Sequence, residues 1–148
     1  MRIVQGDLIS LAKNGEFDVI VHGCNCFCAM GGGIALQIKQ EFPKAFEVDR
    51  RTVKGDPKKM GTYSLAMVDN LTIVNAYTQF DCRGPGVLAN YSSIDKVFKS
   101  LAIVFEGKRI GFPKIGAGLA RGDWAIIEEI IENNLEGMCD YTLVEYRK

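Results

Sequence analysis

Residues 17–42, "FDVIVHGCNCFCAMGGGIALQIKQEF", join two kinds of chain. The first part is a continuous apolar run of strand length, as expected for a strand buried on both faces. The last part puts Ile34, Ile38 and Phe42 near helical spacing. Between them stand the only histidine, His22, three of the five cysteines, and the consecutive glycines Gly31, Gly32 and Gly33. A buried strand that runs through bare backbone into a helix is half of a layered α/β unit. The pattern raises three readings for the turn: metal, redox or phosphate.

Working outward, the rest of the chain supplies matching parts. "RIVQ" is a short β-prone start, and Pro43 can end the first helix or open a second over "KAFEVDRRTV". "TYSLAMV" and "LTIVNAYTQ" flank Asp69 and Asn70, a pair that tolerates left-handed backbone and predicts a hairpin. "DCRGPGVLAN" is loop by composition. Ile94, Val97, Phe98, Leu101 and Phe105 form a helical stripe closed by Gly107. "KRIGFP" reads as a short buried strand. "DWAIIEEIIENNL" reads as an amphipathic helix capped by Asp123 with Gly137 past its end, and "DYTLVEY" as a final strand. Strands alternating with helices predict one α/β domain over residues 1–148, with a mixed sheet and helices on both faces. Ligands of such sheets bind at the carboxyl ends of the strands. Two glycine-rich segments fall there, "NCFCAMGGGIA" and "PKIGAGLARG".

Composition narrows the function classes. With 18 basic and 18 acidic residues the chain lacks the charge signature of a duplex-binding protein. Its start carries no apolar run of signal-peptide type, and no window has the length of a membrane span. An odd cysteine count without a signal favours a reducing compartment, so a cytoplasmic location is expected. Cys24, Cys26 and Cys28 alternate. On a strand, neighbours would lie about 6.6 Å apart. Thiolates around one zinc lie only about 3.8 Å apart. There is no second Cys or His pair and no Cys-x-x-Cys, so the expectation is packing, with neither metal nor cofactor. Three glycines ahead of a helix leave unpaired N–H groups at the positive end of its dipole, a place for phosphate. The segment is neither a Walker loop nor a dinucleotide fingerprint.

"GDL" at 6–8, "VHGCNCFCAMGGGIALQI" at 21–38 and "FPKIGAGLARGDW" at 112–124 resemble the macro domain family in order and spacing. The resembled branch contains the yeast ADP-ribose 1''-phosphate phosphatase and the terminal ADP-ribose glycohydrolase-like macro domains. The resemblance implies a three-layer α/β/α fold and an ADP-ribose cleft. Gly6, Asp7 and Leu8 match its first segment, with Asp7 facing the adenine amino group. A cap for a helix starting near Leu8 is the other reading of Asp7. Asn25 matches the polar residue that faces the distal ribose, and Cys24 beside it is counted among the ligand-binding residues. Met30, Gly31, Gly32, Gly33, Ile34 and Ala35 match the first diphosphate loop, and Ile115, Gly116, Ala117, Gly118 and Leu119 the second. Tyr146 falls at an adenine-side position, with an ordinary half-buried strand tyrosine as the alternative. Trp124 is read as packing under the second loop.

The resemblance also frames the chemistry. Lysine-dependent glycohydrolases of the family have a lysine where this chain has Gln79 and an aspartate where it has Ala120, and neither substitute serves that route. His22 matches the histidine of the phosphatase-like branch. It is either an acid, base or nucleophile, or a buried neutral group that orients the loop. Asn25 and Asp81 complete the catalytic candidates. The expected function is a phosphatase releasing ADP-ribose and phosphate from ADP-ribose 1''-phosphate. A non-catalytic reader and an ADP-ribosyl hydrolase are the alternatives. Expected partners are small ADP-ribose derivatives and ADP-ribosylated proteins, with no nucleic acid or membrane, and the expected state is a monomer.

Overall fold

The computed structural model describes residues 1–147. Its six-stranded sheet has the order β1-β6-β5-β2-β4-β3. The strands are β1 (Arg2–Gly6), β2 (Val19–Cys24), β3 (Tyr63–Val68), β4 (Leu71–Tyr77), β5 (Arg109–Phe112) and β6 (Asp140–Tyr146). All neighbours are parallel except β3 and β4, so the sheet is mixed as expected. The hairpin turns at Asp69, whose φ of 53° is left-handed.

Five α-helices cover the sheet: α1 (Leu8–Lys13), α2 (Gly33–Glu41), α3 (Pro43–Arg50), α4 (Tyr91–Val104) and α5 (Trp124–Leu135). One face packs Leu8, Ile9, Ile20, Ile38, Ala45 and Ile73 into a core beneath α1, α2 and α3. The other packs Val19, Val21, Val74, Phe98, Ile110 and Ile131 beneath α4 and α5. Val19, Ile20 and Val21 point alternately into the two cores, which is why β2 needs an unbroken apolar run. The stripe of α4 is buried at Ile94, Val97, Phe98 and Leu101.

Local chemistry fixes the helix ends. Asp7, Asn90 and Asp123 accept backbone N–H bonds as N-caps of α1, α4 and α5. Pro43 opens α3, where its missing N–H costs nothing. The glycine-led helix is shorter than "GGGIALQIKQEF" suggests: Gly32 is its cap and Phe42 lies beyond its end. A 3-10 turn at Pro57–Lys59, capped by Asp56, has no counterpart in the periodicity. Among the described residues no helix is long and apolar enough to cross a membrane.

Candidate functional site

The carboxyl ends of β1, β6, β5 and β2 lie side by side and emit the segments singled out from the sequence. A cleft of about 440 Å³ opens there. It brings together Gly6, Asp7, Leu8, Gly33, Ile34 and Tyr146. Gln37, Pro113, Lys114, Val144 and Glu145 also line it and were not anticipated. Gln37 lies one helical turn beyond Gly33 and Ile34, so helix geometry predicts the shared face. Pro113 and Lys114 connect β5 to the second glycine loop.

The first loop ends at α2, whose N-cap is Gly32 and has no side-chain cap bond. Its first-turn N–H groups therefore face outward without a side-chain acceptor. Gly33 has a φ of 56°, which glycine adopts without a Cβ penalty. The Met30 side chain does not line the cleft and is buried with Cys24, Cys26 and Tyr77. The second loop turns at Gly116, with φ 73°. Gly122 N donates to Gly116 O (2.6 Å) and closes the turn. A Cβ placed on Gly116 would lie 3.1 Å from Ala89, so this turn also needs glycine for space. The two loops approach each other through Leu119, which is 75% exposed. Its Cδ1 lies 3.3 Å from where a Cβ on Gly32 would sit.

Asp7 performs the capping role: Oδ1 accepts from Ile9 N (2.9 Å) and Ser10 N (3.2 Å). The same side chain borders the cleft, opposite Tyr146, which is 65% exposed. The capping reading of Asp7 holds, and the residue also lines the cleft.

His22 is placed differently from a catalytic group. It is fully buried in β2 on the α3 side of the sheet. Its Nε2 lies 2.6 Å from Asn75 Oδ1. Asn75 Nδ2 in turn donates to Ala45 O (2.9 Å) and Ser64 Oγ (3.0 Å). Burial pushes the His22 pKa down to about 4, partly opposed by the Asn75 bond, so the ring is neutral. The expectation that His22 acts as acid, base or nucleophile is corrected. It sits beneath the loop, joined to β4 and α3, with no exposed atom to meet a substrate.

Asn25 is 7% exposed and engaged within its own loop. Its Nδ2 donates to Ala29 O and its Oδ1 accepts from Phe27 N, both at 2.9 Å. The side chain shapes the turn ahead of Met30. Asp81 lies past β4, whose end is paired with that of β2. Asp81 Oδ1 accepts from Arg83 N (3.2 Å) and forms an ion pair with Arg83 Nε (3.4 Å). The Arg83 guanidinium holds its carboxyl below the usual range, so it is ionised at neutral pH. Arg83 is the nearby cation that the sequence reading passed over. Gln79 Nε2 donates to Asp81 O (3.0 Å).

The cysteines pack. Cys24 and Cys26 are buried, and burial pushes both thiols up, away from the reactive thiolate. Cys28 Sγ donates to Asp49 O (3.3 Å). Lys59 Nζ donates to Cys26 O (3.0 Å), and Tyr77 OH donates to Asp49 Oδ1 (2.7 Å). These contacts anchor the outer half of the first loop. Among the described residues no group of three or more His, Cys, Asp or Glu side chains is arranged to hold a metal.

The site thus belongs to a three-layer α/β/α domain with two glycine loops at the carboxyl ends of its parallel strands. The model of the macro domain family matches residues 21–131, and the chain belongs to that family. An uncharacterised 17.5 kDa protein of Enterobacteria phage T4 is 37% identical over 141 residues, covering 89% of this chain and 88% of that one. The ADP-ribose 1''-phosphate phosphatase of Lodderomyces elongisporus is 26% identical over 145 residues, covering 89% and 91%. The DNA ADP-ribosyl glycohydrolase of Mycobacterium tuberculosis is 27% identical over 149 residues, covering 95% of this chain but 40% of that protein. Among solved structures, the macrodomain of Mycobacterium tuberculosis DarG superposes with a TM-score of 0.74 at 24% identity, covering 99% and 97%, which shows the shared fold.

Proposed function

We propose that the cleft binds ADP-ribose across the crest of the sheet and that the protein hydrolyses the phosphate monoester of ADP-ribose 1''-phosphate. The observation that carries the reading is the glycine-capped start of α2 set against the second glycine loop. Two sets of backbone donors around one gap suit a pyrophosphate, and a chain of zero formal charge can bind it that way. Asp7 and Tyr146 would take the adenine end, through the carboxylate and the exposed ring. The Asp81–Arg83 pair follows β4, whose end pairs with that of β2, and would take the other end of the ligand. There Arg83 would receive the phosphate and ionised Asp81 would take the proton of the attacking water. The water oxygen bonds to phosphorus while the P–O1'' bond breaks, and O1'' leaves as the anomeric hydroxyl after taking a proton from solvent.

His22 has no place in this scheme except to hold the loop through Asn75. A second reading, removal of ADP-ribose from a macromolecule, is favoured by the glycohydrolase relative. Gln79 and Ala120 weigh against its lysine-dependent form. Phosphate release from ADP-ribose 1''-phosphate tests the proposal. Wild type should turn over, and Asp81→Asn should be slower by about 10²–10⁴-fold. Tight ADP-ribose binding without phosphate release would leave a reader instead of an enzyme.

A further inference from the structure

Residues 82–88 form no helix or strand, yet one side chain ties them down. Arg121 donates from Nε to Gly86 O (2.6 Å) and from Nη2 to Gly84 O (2.5 Å). Its own φ is 60°, a left-handed conformation that is strained for a residue with a side chain. The backbone around it is equally engaged. Ala120 O accepts from Leu88 N (2.8 Å) and Ala89 N (3.3 Å), and Arg121 N donates to Gly118 O (3.0 Å). Residues 120–122 therefore fasten the 82–88 segment to the second glycine loop. At the segment's other end, Cys26 N donates to Phe80 O (2.9 Å) and Phe27 packs edge-on against Phe80. The segment thus spans from the first loop to the second, on the β4 side, remote from Asp7 and Tyr146. Its start carries the Asp81–Arg83 pair.

We propose that Arg121 is a positioning residue that fixes segment 82–88 as the distal wall of the cleft, so that the site favours ligands with a second ribose over nucleotides that end at the pyrophosphate. The inference rests on reading the cleft as an ADP-ribose site. A planar guanidinium holds two carbonyls in fixed relation, which an ammonium does less well. A wall ordered before binding spares the ligand the cost of ordering it. ADP stops short of that wall and gains nothing from it.

Calorimetric titration of wild type, Arg121→Gly and Arg121→Lys with ADP-ribose and with ADP tests this, together with amide hydrogen exchange across residues 82–88. Glycine accepts the left-handed backbone, so Arg121→Gly removes the clamp without adding strain. The expected result is about a tenfold loss of ADP-ribose affinity in Arg121→Gly, with ADP affinity held within about twofold, and faster exchange across the segment. Arg121→Lys should fall between. Equal losses for both ligands would overturn the proposal, because a merely structural role predicts that. Unchanged ADP-ribose affinity in Arg121→Gly would overturn the clamp alone and leave the ADP-ribose reading standing. Wild type binding neither ligand would overturn both.

Discussion

Asp7 caps α1 with one oxygen and the proposed adenine contact falls to the other, and two substitutions separate the two roles. Oδ1 caps α1 through Ile9 N and Ser10 N. Among the described residues no hydrogen bond uses Oδ2, and the side chain borders the cleft. Asparagine caps about as well as aspartate, and its acceptor oxygen must face the helix. Its amide nitrogen then replaces Oδ2 and presents a donor to the adenine amino group. Alanine loses both roles. Loss of the cap costs about 0.5–2 kcal/mol, which lowers Tm by about 2–6 °C for a chain of this size. Asparagine loses only the charge near the helix start, at the low end of about 0.3–1 kcal/mol. Both variants should bind ADP-ribose more weakly by about 1–3 kcal/mol, or about 5- to 150-fold. Thermal melts and calorimetry read the two effects independently. Asp7→Asn binding within twofold of wild type would refute the adenine contact. Asp7→Ala melting with wild type would refute the capping account.

Three further outcomes follow from the same geometry. Gly32→Glu should keep the fold by circular dichroism, since its φ of −152° suits any residue, and should abolish ADP-ribose binding by placing a carboxylate among the phosphate donors. His22 has a pKa of about 4, below its usual 6.5, so the unfolded chain binds the extra proton between those values. Its contribution to stability is complete above the higher value and falls as pH drops through the window, approaching about 1.4 kcal/mol per pH unit. His22→Gln should flatten that part of the dependence in urea denaturation across the window. Gly111→Ala would put a Cβ 2.7 Å from the Phe17 ring, and overpacking there should cost about 1–3 kcal/mol in the same urea assay with the glycine loops untouched.

The layered architecture was legible because β2 and the stripes of α4 and α5 repeat with periods that leave few alternatives. Both glycine loops were legible because bare backbone at a strand end has few structural uses. His22 was not. From sequence, a lone histidine beside a glycine loop looks chemical. Which way it points depends on strand parity, and position 22 falls on the α3 side, opposite Asn75. Arg121 was invisible for a related reason. Its partners are main-chain carbonyls 35 and 37 residues away, which carry no side-chain signature. The cysteine run was read as packing because its spacing suits neither zinc nor a redox pair, but the neighbours Asp49, Thr52 and Lys59 that hold it come from distant parts of the chain and carry no local signal.

A crystal structure grown with ADP-ribose tests the central claim most directly. Adenine should lie between Asp7 and Tyr146, with the pyrophosphate within hydrogen-bond distance of main-chain N–H groups at the start of α2 and in residues 116–119. The distal ribose should face the segment held by Arg121. ADP-ribose bound elsewhere on the molecule, or no bound ligand at millimolar concentration, would contradict it.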